Sequence, residues 1–150
     1  VSLSDPGRKI LIPLTEPVEP ECLEALIAGS LGLEGAEITL LYVVTVPVTS
    51  PLEAGESSRA SKEAAKWLKP IAERLEEGGF RVSTRVALAR DVATGIEESI
   101  EGHDLVILPT KTLGGRLGRL LGESSAERLA EKYRVPVIVV SREVLKSPLE

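Results

Sequence analysis

The residue types most able to do chemistry are gathered between positions 104 and 127. Asp104-Leu-Val-Ile-Leu-Pro109 is a short apolar run. The thirteen residues after it carry Gly114, Gly115, Gly118 and Gly122, with Lys111, Arg116 and Arg119 among them. A flexible basic loop that feeds a helix start can hold phosphate, because unpaired amides and the positive end of the helix dipole converge there. Glu123 works against this: a carboxylate at the helix start occupies the favourable field itself and repels phosphate by about 1 kcal/mol. Ser124-Ser125-Ala126-Glu127 has the spacing of a capping box, in which serine and glutamate side chains satisfy opposing backbone amides. For Ser124 the structural reading outweighs the ligand one, although a cap does not exclude a ligand.

The remaining reactive types give no constellation. His103 precedes the apolar run with only Asp104 beside it and reads as a surface turn residue. Cys22 falls in the first turn of an expected helix, where the dipole could lower a thiol pKa. With no basic neighbour in sequence, it reads as a buried, inert thiol. One His and one Cys cannot build a typical zinc site, and Glu76-Glu77 is a solvated helix end. A non-enzymatic domain is the expectation.

The elements that must position these residues follow from periodicity. Arg8 to Leu14, Ile38 to Val46, Arg81 to Leu88, Asp104 to Leu108 and Val137 to Ser141 read as strands, the third alternating as suits a sheet edge. Between them, a helix opens at Pro20 and places Leu23, Leu26, Ile27 and Leu31 on one stripe before Gly32. Ser57 to Glu77 is the longest helix, kinked by Pro70 and stopped by Gly78-Gly79. Asp91 caps a third helix with Val92, Ile96 and Ile100 inward; the fourth carries Ala126, Leu129, Ala130 and Tyr133. Strands joined by helical crossovers imply an α/β fold, a doubly wound parallel sheet of five strands with helices on both faces. One domain is expected over 1–150, its core at about 8–141.

Composition bounds the partners. A net charge of −5 and only one Trp, two Tyr and one Phe argue against nucleic acid. No apolar run approaches the roughly 18 residues of a spanning helix, so no direct membrane insertion is expected and a cytoplasmic location is. Met is absent, which fits a piece cut from a longer protein. Asn and Gln are absent as well, a habit of thermophile proteins.

With the elements in that order, Lys9-Ile-Leu-Ile-Pro13, Asp104-Leu-Val-Ile-Leu108, Gly122-Glu-Ser124, Ala126-Glu-Arg128 and Val135-Pro-Val-Ile-Val-Val140 give a chain that resembles the universal stress protein family over about 8–141. The resemblance implies the strand order 3-2-1-4-5 of the adenine nucleotide alpha hydrolase-like fold, with its topological switch between strands one and four. It implies ATP or AMP as the ligand, held near Thr15, Val43, Thr110, Lys111, Gly115, Arg116, Gly122, Ser124 and Ser125. It also implies a homodimer through the edge strand Val137–Ser141.

The family's nucleotide motif is damaged in this chain. Pro109-Thr-Lys-Thr112 stands where ATP-binding members have Gly-x-x-Gly, one residue is added before Gly122-Glu-Ser124, and Thr15 replaces an Asp. The Pro13-Leu-Thr-Glu-Pro17 turn looks like the versions of this domain attached to membrane transporters, especially amino-acid permeases. The expectation is therefore a non-catalytic regulatory domain acting by dimerisation and partner contacts. The alternative is a free-standing stress protein that binds ATP or AMP.

Overall fold

Strand β1, Lys9–Pro13, is buried at every position after its first, so both of its faces must be covered. That requirement places it at the centre of the sheet. The computed structural model describes residues 8–46, 59–109 and 126–146. In it, β1 is flanked by β2 (Glu37–Thr45) and β4 (Leu105–Pro109), while β3 (Arg81–Ala89) and β5 (Val137–Val140) form the two edges. All pairings are parallel and the order is β3-β2-β1-β4-β5, as the resemblance implies.

Side chains alternate across the strands and divide the core into two layers. Ile10, Ile12, Ile38, Leu40, Leu105 and Ile107 face one side, against α1 (Pro20–Glu24) and α2 (Arg59–Glu77). Leu11, Leu41, Val43, Val106 and Leu108 face the other. There they meet α3 (Val92–Ser99) and α4, helical over 126–133. Each fully buried Leu or Ile contributes about 1.5–3 kcal/mol, so both layers matter to stability.

Local sequence accounts for the element ends. Pro20 starts α1, and the chain continues as π-type turns over Ala25–Ser30, an irregularity not anticipated from its stripe of leucines. Gly79, at φ +97°, closes α2 in a conformation that costs other residues strain. The helix runs continuously through Pro70, which lies exposed on the outer face. Trp67 is half-buried and meets Tyr42 edge-on, with centroids 5.6 Å apart. Two details differ from expectation. Tyr133 lies exposed at the end of α4. The core also extends past Ser141, because the 3₁₀ turn Arg142–Leu145 drives Leu145 into the first layer, where its carbonyl accepts from Glu19 N at 2.8 Å. Among the described residues no helix is long and apolar enough to cross a membrane.

Candidate functional site

The strand order creates one place where the sheet opens. The chain leaves β1 toward β2 and β3, then crosses over to β4 and β5, so connections on either side of β1 diverge in opposite directions. The ladders register this divergence. β1 pairs with β2 at five positions but with β4 at only two, Ile10 with Leu105 and Leu11 with Val106. Past those rungs, Ile12 and Pro13 have no paired partner in β4, the arrangement that puts a ligand crevice at the carboxyl ends in folds of this class.

Thr15, Val43 and Pro109, which face the crevice from just after β1, from β2 and from β4, carry no charge. Leu14 N still donates to Leu41 O at 2.7 Å, and Thr15, the next residue, leaves the sheet exposed. Pro109 is the last residue of β4, buried, and has no N–H to offer a ligand. Val43 lies in the second half of β2 and is 8% exposed. It is covered by α3 through Gly95, where an added Cβ would come within 2.5 Å of Val43 Cγ1. Asp91 fixes the start of that helix, its Oδ1 accepting from Thr94 N at 2.8 Å as the sequence predicts. Glu16, one residue beyond Thr15, is engaged by Lys146 Nζ at 2.9 Å.

Of the residues expected to hold nucleotide, the structure therefore brings Thr15 and Val43 to the carboxyl side of the sheet. Thr110, Lys111, Gly115, Arg116, Gly122, Ser124 and Ser125 lie outside the described residues, as does the capping serine. Gly95 was missed by sequence reasoning, which saw α3 only as a stripe of inward apolar residues. A glycine inside a helical pattern was the available signal, since it costs helix stability and usually marks a close approach.

The other reactive groups stay away from the crevice. His103 is at the opposite end of the sheet but is not a simple surface turn residue. The ring is half-buried, Nε2 lies 3.0 Å from Thr39 Oγ1, and Nδ1 is buried with no partner among the described residues. Sequence adjacency could not reveal a contact that crosses from the start of β4 to β2. Cys22 is buried, and burial first, then Glu19 and Glu21, push its thiol pKa up. Burial and the two carboxylates thus favour the protonated, weakly nucleophilic thiol. Among the described residues no group of three or more His, Cys, Asp or Glu could hold a metal ion.

A doubly wound sheet that opens between its first and fourth strands defines a class of nucleotide-binding-type α/β folds. The chain belongs to the universal stress protein family, whose model matches residues 7–141. No curated protein matches the sequence. Among solved structures, it is similar to a universal stress protein family member from Burkholderia pseudomallei (22% identity, 93% of this chain and 98% of that one, TM-score 0.57). It is similar to the universal stress protein from Archaeoglobus fulgidus in complex with dAMP (14%, 89% and 98%, 0.59). A third is an Arabidopsis thaliana family protein with AMP bound (15%, 90% and 92%, 0.57).

Proposed function

We propose that the chain is a non-catalytic regulatory domain of the universal stress protein type, acting by dimerisation and partner contacts, with a crevice that has lost its grip on nucleotide. Pro109 carries the proposal. It ends β4 at the mouth of the crevice, at the position where nucleotide-binding relatives have the first close-approach glycine, and it has no amide hydrogen for a phosphate. Thr15 supplies a neutral hydroxyl in place of a carboxylate at the facing turn. The partner we assign, on the resemblance of the Pro13–Pro17 turn, is the membrane domain of a transporter on the same polypeptide; the length and hydropathy of the full reading frame test that assignment.

A second reading, binding of AMP or ATP, is favoured by the dAMP and AMP held by two structural neighbours. A thermal-shift series with AMP, ATP and Mg²⁺ separates the two. Ligand at 100 times its dissociation constant stabilises by about 2.7 kcal/mol. No shift at millimolar nucleotide is expected, and a saturating shift overturns the first reading in favour of the second.

A further inference from the structure

Among the described residues the edge strand β3 pairs on one side only, with β2, over all nine positions from Arg81 to Ala89, and its other hydrogen-bonding edge is unmatched. Arg81 N donates to Ala36 O at 3.2 Å, and Ala89 O accepts from Val46 N at 2.8 Å, so the odd-numbered residues turn their main-chain groups toward β2. By the alternation of a strand, Val82, Thr84, Val86 and Leu88 turn theirs outward. Along the outer edge runs a hollow of about 380 Å³, lined by Arg85, Val86, Ala87 and Leu88 with Ser61 of α2 on one flank and Glu98 of α3 on the other. A groove bounded by a helix on each side and floored by an unpaired strand has the shape of an added-strand site.

Charge narrows the occupant. Helix α3 is eight residues long and covers Ala87 and Ala89 on its face of the sheet, leaving Arg81, Ser83 and Arg85 exposed there. Neither arginine makes an ion pair among the described residues. Arg81 has Glu37 beside it in register on β2, whereas Arg85 stands opposite the apolar Leu41, so β2 leaves the Arg85 cation unbalanced on this edge. Pairing two copies of the edge would gather four arginines on one face, and like charges at cross-strand distance destabilise. The arginines thus keep identical copies apart, as charged side chains on edges commonly do. The same charges complement an acidic strand.

We propose that the β3 edge docks an extended acidic peptide segment of another protein. Main-chain bonds to Val82, Thr84, Val86 and Leu88 would provide affinity, and carboxylates at alternate positions beside Arg81 and Arg85 would provide specificity. Glu98 disfavours an acid at the far end of the groove and so sets the segment's placement.

The test is titration of the full chain with a nine-residue peptide alternating glutamate and valine, followed by amide NMR and by fluorescence anisotropy, with a lysine–valine peptide as the counterpart. The expected result is movement of the Val82, Thr84, Val86 and Leu88 amides by the acidic peptide alone, with at least tenfold weaker binding to R81E/R85E and a reversed preference for the basic peptide. Thr84→Pro removes an outward amide without touching the β2 ladder, a substitution edge strands tolerate, and should abolish binding. Equal binding of both peptides, binding unaffected by the charge reversal, or no movement of these amides at millimolar peptide would overturn the proposal. Movement of the same amides on concentrating the protein alone would assign the edge to a second copy and overturn it as well.

Discussion

Gly95 of α3 rests directly on Val43 of β2, so close that a Cβ at position 95 would fall 2.5 Å from Val43 Cγ1 and 2.6 Å from Cγ2. Val43 is β-branched and stiff at χ1, so the clash cannot be relieved by a rotamer change. Gly95→Ala should therefore destabilise the fold by about 1–3 kcal/mol through overpacking, reduced by up to about 1 kcal/mol because alanine favours a helix. Urea unfolding of the single and double variants checks the cause: Gly95→Ala with Val43→Ala should cost less than the two single substitutions added together.

The amino end of the same helix depends on Asp91, whose carboxylate accepts from Thr94 N. Asp91→Ala should cost about 1 kcal/mol, and Asp91→Ser should recover most of it, because either side chain can cap. Equal stability of the alanine and serine variants in denaturant melts would show that the cap is not what holds this end.

Cys22 gives a pH dependence with a definite sign. Burial, with Glu19 and Glu21, raises its folded pKa above the ordinary 9.0, so the unfolded chain loses the thiol proton first. The folded state is thus favoured fully below pH 9 and progressively less as pH rises through the folded pKa. Melting temperatures measured from pH 8 to pH 10.5 should fall more steeply for the wild type than for Cys22→Ala, in which this contribution is absent. Parallel curves would contradict the burial of the thiolate-forming group.

At the opposite edge of the sheet from β3, Val139 is 47% exposed on β5, between the half-buried Ile138 and Val140. If dimerisation uses this strand, Val139→Glu should convert a dimer to a monomer in sedimentation equilibrium at micromolar concentration, with little effect on thermal stability of the subunit. A wild-type protein that is already monomeric there removes β5 from consideration as the interface.

The sheet was legible because β1, β4 and β5 are short, nearly continuous apolar runs, and because Arg81, Ser83 and Arg85 interleave polar residues into β3 as an edge allows, although its burial does not alternate along the whole strand. Helix starts were legible where chemistry marks them, at Pro20 and Asp91. The π winding after Glu24 was not, since the leucine stripe that fits an α-helix also fits a helix that is locally underwound. Leu145 was lost for a related reason: the pair Val144-Leu145 after the last strand is too short to carry periodicity, and only the position of α1 reveals the space Leu145 fills. At the crevice, Thr15, Val43 and Pro109 were identifiable by position, but the Gly95–Val43 approach and the His103–Thr39 contact join residues 52 and 64 apart in sequence. Such pairs become visible only once the strands are side by side.

The two-rung ladder between β1 and β4 also bears on how the molecule would come apart. It leaves a three-stranded slab and a two-stranded slab joined by the fewest paired positions of any ladder in the sheet, although the side-chain core runs on across the seam. Anything that bridged this seam, nucleotide or neighbouring protein, would act as a staple across two half-sheets and so change the rigidity of the whole domain from one end.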